Sequence, residues 1–121
     1  DRHELIECLF GTGVPFLGHC EEHLDWYTQS LAAITSRSMG VRRAGAASLD
    51  LAYVAAGRLD GFWEMGLNEW DIAAGALLVR EAGGLITDLS GGEGWYDSGN
   101  VVCANSKLMR QMLPLVKWPA A

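Results

Sequence analysis

Residues 67–84 read LNEWDIAAGALLVREAGG, with one carboxylate, Asp71, set between a tryptophan and a strongly apolar run that two glycines close. The pattern predicts a helix starting near Asn68–Trp70 and stopping at Gly83–Gly84. Asp71 then falls in the first turn, where unpaired N–H groups and the positive end of the helix dipole favour a carboxylate. A second reading makes Asp71 a ligand of a hard cation such as Mg²⁺, which takes carboxylate oxygens and keeps several waters. One carboxylate is not a site, so that reading needs others from elsewhere.

Working outward, elements of alternating type flank this helix. Residues 4–10 (ELIECLF) suit a strand or short buried segment, and GTGVPFLG a loop. Residues 19–35 suit a helix with Leu24, Tyr27, Leu31 and Ile34 on one face. RSMGVRR suits a short strand, AGAASLDLAYVAAG a small-residue helix ending at Gly57, and LDGFWEM a strand. After the central helix come GLITDL as a strand, SGGEGWYDSGN as a turn-rich loop and VVCAN as a strand. A last helix over residues 106–117 can be capped by Asn105 or Ser106, and Pro114 is expected to shorten or bend it. Strands alternating with helices predict an α/β fold: a layered, mixed, largely parallel sheet with flanking helices. The run VVCA suits a strand buried on both faces.

The chain of 121 residues carries 9 basic and 15 acidic side chains, a formal net charge of −6. That balance argues against a nucleic-acid-binding face, which needs a basic stripe. It does not exclude anionic ligands, because a bound cation inverts the local field. Half the residues are hydrophobic, yet no apolar run reaches the ~18 residues of a membrane span. Cys8, Cys20 and Cys103 are odd in number and widely spaced, so free thiols in a reducing cytoplasm are expected. The first residues show no signal-peptide layout and no initiator Met, so the chain is expected to begin inside a gene, after processing or at a cut.

Two further stretches carry possible chemistry. In RRAGAAS (42–48), Gly45, Ala46 and Ala47 lead straight into a helix, and residues this small let a ligand approach the backbone amides of its N-terminus. The same residues serve close helix–sheet packing equally well. Glu64 ends a predicted strand, where α/β sheets place ligands, and its carboxylate can accept hydrogen bonds from substrate hydroxyls. A solvated strand-end acid explains it too. Other patterns are weak. His19, Cys20 and His23 make only half a zinc site. GTGVPF departs from a dinucleotide fingerprint at Phe16. Ser48 and Asp50 lack the G-x-S-x-G elbow of a hydrolase.

Taken together, GTGVPF, RRAGAASLDLAYVAAGRLDGFWEMGLNEWDIAAGALLVREAGG and GNVVCAN resemble the inositol monophosphatase family, most closely its bacterial inositol-1-monophosphatase members, from about Glu4 to Val116. The family's Trp-Asp-x-Ala-Ala-Gly pattern is met at Trp70, Asp71, Ala73, Ala74 and Gly75. The resemblance implies that Asp71 binds an active-site Mg²⁺ near the substrate's ring hydroxyl, as both cap and ligand. It implies that Glu64 contacts inositol hydroxyls and that Gly45, Ala46 and Ala47 line the substrate pocket. Ala46 departs from the threonine common in the family, removing a hydroxyl. The upstream Gly-Glu-Glu and Asp-Pro-x-Asp-Gly-Thr segments, which supply the other metal ligands and activate the attacking water, are not found here. By resemblance, residues 1–121 are the C-terminal α/β portion of such an enzyme, without its N-terminal metal-binding portion. The implied activity is Mg²⁺-dependent, lithium-sensitive hydrolysis of inositol 1-phosphate in a cytoplasmic homodimer, with the isolated chain inactive. Two alternatives stand beside it. One is a phosphatase for histidinol phosphate, a phosphoadenosine nucleotide or a sugar phosphate; the other is a non-catalytic binding or interaction module.

Overall fold

Glycines and small residues punctuate this chain, and the elements fall between them. The computed structural model describes residues 4–13, 21–43 and 47–116. Strands β1 (Leu9–Thr12), β2 (Gly40–Arg42), β3 (Gly61–Glu64), β4 (Leu85–Thr87) and β5 (Val101–Ala104) form one sheet in the order β2-β1-β3-β5-β4. The helices are α1 (Leu24–Thr35), α2 (Ala47–Ala55), α3 (Glu69–Glu81), α4 (Trp95–Ser98) and α5 (Ser106–Val116). A 3₁₀ turn over Leu5–Glu7 replaces the first half of the strand expected over residues 4–10.

β1 pairs in parallel with β2 and β3, whereas β5 pairs antiparallel with both β3 and β4. Four strands therefore run one way and β5 alone runs against them. The connections explain this. Helices α1, α2 and α3 each return the chain for a parallel strand, but the β4–β5 link holds only the four-residue α4, too short for a crossover. The link closes as a compact turn instead. The Asp88 carboxylate accepts N–H bonds from Ser90 (2.8 Å), Gly92 (2.8 Å) and Gly94 (3.2 Å).

Side chains alternate across the sheet into two cores. Cys8, Phe10, Trp63, Val102 and Ala104 pack under α1 and α5; Phe62, Ile86, Val101 and Cys103 pack under α2 and α3. β5 is thus buried on both faces, as its apolar run predicted. α1 buries Trp26, Tyr27, Ser30 and Ile34, while Leu24, expected on that face, is 44% exposed. Ser30 is inside because its hydroxyl accepts the Trp63 indole N–H (3.1 Å). Asn105 caps α5, its Oδ1 accepting the Leu108 N–H (2.9 Å). Pro114 lies in the last turn without ending the helix, and the Trp26 indole donates to the Val116 carbonyl (3.0 Å). On the opposite face α2 lies directly against α3. Both of these helices end where glycine turns left-handed, Gly57 at φ 76° and Gly83 at φ 86°.

Candidate functional site

The strand order places a topological switch at β1 and β3. From β1 the chain crosses to β2 on one side; from β2 it crosses back over β1 to β3 on the other. Neighbouring parallel strands whose connections leave in opposite directions open a crevice at their carboxyl ends, where α/β proteins bind ligands. In this chain those ends are Thr12–Gly13 and Glu64, brought level by the pairing of Thr12 with Trp63.

Glu64 is half-buried at the end of β3, with its carboxylate against Gly13. The next residues turn sharply at Gly66 (φ 77°). That turn is pinned by Gly66 N–H donating to Asn100 Oδ1 (2.9 Å) and Leu67 N–H to the Gly99 carbonyl (2.8 Å). α3 then begins, with Asp71 in its first turn. The Asp71 side chain lies outside what the structure describes, so its placement is that of the backbone alone. Ala47 opens α2 and is buried in the core beneath α2 and α3. Gly45 and Ala46 lie outside the described residues. The edge thus brings Glu64 near the starting turns of two helices, whose free N–H groups suit an anion.

Other charged and aromatic residues lie near these strands. Arg43 follows the carboxyl end of β2 and is exposed, supplying positive charge. Tyr27 is buried and stacks on Trp63, with ring centroids 6.2 Å apart. Burial raises its hydroxyl pKa above the ordinary value, partly offset by the Thr12 hydroxyl and the Arg43 charge. Thr12 itself donates to the Trp63 carbonyl (3.1 Å). Asp50, on α2, is 1% exposed; burial pushes its pKa to about 6, and its Oδ1 has no hydrogen-bond partner. The Cys103 thiol beside it is pushed up by burial and by the Asp50 charge. The available signal was the Gly-Thr-Gly triplet at 11–13: Gly11 makes room for Asp50 and Gly13 for Glu64.

Among the described residues, no cluster of three or more His, Cys, Asp and Glu side chains converges to hold a metal ion. Of the zinc-like trio, His19 and Cys20 lie outside the described residues, and His23 pairs with Glu22 at 3.4 Å near the surface. Cys8 and Cys103 are buried and unbridged. No helix among the described residues is long and apolar enough to cross a membrane.

Known proteins share this sequence pattern and fold. A Pseudomonas aeruginosa protein named Nus factor SuhB is 49% identical over 116 residues, covering 96% of this chain and 43% of the relative. A Mesorhizobium japonicum protein named inositol-1-monophosphatase is 49% identical over 118 residues, covering 98% of this chain and 44% of the relative. The crystal structure of extragenic suppressor protein suhB from Bartonella henselae superposes with a TM-score of 0.91 at 41% identity, covering 98% of this chain and 45% of that one. The chain spans under half the length of the relatives it matches. With residues 17–117 matching the family's pattern, the chain belongs to the inositol monophosphatase family.

Proposed function

We propose that the intact enzyme containing this chain is a Mg²⁺-dependent phosphoric monoester hydrolase that cleaves inositol 1-phosphate to inositol and phosphate. The observation that carries this is the Glu64 carboxylate at the switch-point crevice, beside the starting turns of α2 and α3. Glu64 accepts hydrogen bonds from the alcohol's hydroxyls and orients it. Gly45, Ala46 and Ala47 are the small-residue stretch expected to admit the substrate to the start of α2. Asp71 holds Mg²⁺ together with carboxylates from the upstream portion of the enzyme. When bound, the metal neutralises phosphate charge and lowers the pKa of water. In this reading residues 1–121 are the C-terminal α/β portion, docked on the upstream half in a cytoplasmic homodimer.

Phosphate release from inositol 1-phosphate by the intact enzyme, with and without Mg²⁺, is the test. Turnover is expected only with Mg²⁺ and is expected to be inhibited by lithium. Asp71→Asn is expected to cut kcat at least ~100-fold, since it removes a metal-bound charge. Mg²⁺-independent turnover, or full activity of Asp71→Asn, would overturn the reading. A panel including histidinol phosphate, a phosphoadenosine nucleotide and sugar phosphates separates the polyol ester from the related substrates.

A second reading draws on the relatives named Nus factor SuhB and on the exposed apolar row of α3, including Trp70 and Leu77. There the fold serves as a binding module. It predicts partner binding that survives Asp71→Asn, with no hydrolysis of any ester on the panel.

A further inference from the structure

Gly13 ends the Gly-Thr-Gly triplet, and turn chemistry does not explain it: among the described residues the left-handed glycines are Gly57, Gly66, Gly83, Gly91 and Gly99. Space explains it. A Cβ placed on Gly13 would fall within the carboxylate of Glu64, whose Cδ, Oε1 and Oε2 are the three nearest atoms. All three belong to the far end of a flexible side chain. Even a methyl group at position 13 must therefore displace the acid, while the parallel pairing of Thr12 with Trp63 can remain.

We propose that Gly13 is a positioning residue: its missing side chain is the seat of the Glu64 carboxylate, and occupation of that seat sets the preference for a polyol ester. The proposal rests on the assignment of Glu64 to the alcohol made above. The physics is steric. With the seat open, the carboxylate lies against β1 at the mouth of the crevice, placed to accept from hydroxyl donors. With the seat filled, it turns aside, and a hydroxyl-bearing alcohol loses its orientation. An ester whose leaving group carries no neighbouring hydroxyls has no such contact to lose.

The test is a substitution cycle in the intact enzyme, using Gly13→Ala, Glu64→Ala and the double variant, with inositol 1-phosphate and p-nitrophenyl phosphate as substrates. Gly13→Ala is expected to lower kcat/KM for the inositol ester by roughly 10- to 100-fold, the scale of a misplaced orienting group, and at least ~5-fold less for the aryl ester. In the Glu64→Ala background it should add less than about 2-fold, because no carboxylate remains to displace. A second readout needs no turnover: the ¹³C carboxyl resonance of Glu64, assigned with Glu64→Gln, should move in Gly13→Ala. A fixed resonance, or an equal loss with and without the Glu64 carboxylate, overturns the positioning role. A moved resonance with unchanged substrate preference overturns the assignment of Glu64 to the alcohol while upholding the seat.

Discussion

Oδ1 of Asp50 stands 3.1 Å from the point where a side chain on Gly11 would begin, in a space closed on another side by Leu59. This carboxyl is 1% exposed and carries an unpartnered oxygen, so ionising it is costly. Burial raises its pKa from 3.8 to about 6. The folded chain therefore holds a proton that the unfolded chain has already released between those values. On this account stability falls as pH rises through that window, and the full penalty persists above it. The linkage is on the order of 2–3 kcal/mol. Asp50→Asn is expected to stabilise at pH 8 by about 2 kcal/mol and to give little gain at pH 4, measured by urea unfolding. A stabilisation independent of pH would contradict the account.

Asp88 has the opposite sign. Burial works to raise its pKa, but the N–H groups of Gly92, Ser90, Gly94 and Gly91 outweigh it and hold the carboxyl below its usual value. The stability it contributes is present above the unfolded pKa and is lost as pH falls through the folded one. Asp88→Ala frees three N–H donors in a partly exposed turn, so a loss of about 1–2 kcal/mol is expected. Faster proteolytic cutting within residues 88–99 should accompany it, and an unchanged cutting rate would show that the turn holds without the carboxylate.

Gly75 is where α3 touches α2. A Cβ there would lie 2.6 Å from Leu51 Cβ and 2.7 Å from Leu51 Cδ1, and Leu51 is fully buried. Alanine is the better helix former by about 1 kcal/mol. Overpacking a closed core costs about 1–3 kcal/mol, and Leu51 cannot withdraw. Gly75→Ala is therefore expected to lower the thermal midpoint despite its higher helix propensity. A raised midpoint would mean that the two helices can part freely.

The solvent face of α3 predicts association. Trp70 is 75% exposed, Leu77 60% and Leu78 49% on one helix. Light scattering of the isolated chain should show self-association that Leu77→Lys reduces, because a charge at that position must be desolvated in any contact. The same isolated chain is expected to release no phosphate from inositol 1-phosphate with Mg²⁺, since most of the carboxylates of a metal site are not among its described residues. Robust turnover would require a complete site within these residues.

What could be read in advance was local. The run Val101–Ala104 announced a strand buried on both faces because no polar residue interrupts it. Gly57 and Gly83 announced helix ends because glycine takes a left-handed backbone cheaply. Glu64 could be placed at a strand end from its neighbours alone. α4 could not be foreseen. It is one turn between Gly94 and Gly99, held by burial of Trp95 and by the Arg80 guanidinium 5.2 Å from the Trp95 ring centroid. The Gly-Thr-Gly triplet left room on β1, but nothing local showed the seats of Asp50 and Glu64 over it. They exist only once β1 meets α2 and β3, and no local pattern encodes that meeting. Leu24 was misassigned for the same reason, since Trp63, on the face beneath α1, holds Ser30 inward.

The bond from the Trp26 indole to the Val116 carbonyl joins residues 90 positions apart. α5 is the last described element to be made on the ribosome, and Met112 and Val116 are fully buried on the face that α1 shares. Until α5 emerges, Phe10, Trp63 and Val102 lack its cover, and Trp26 lacks the acceptor for its N–H. During synthesis this face of the sheet stays uncovered until α5 is made, and a chain stopped before α5 is expected to lose the burial that holds this core together.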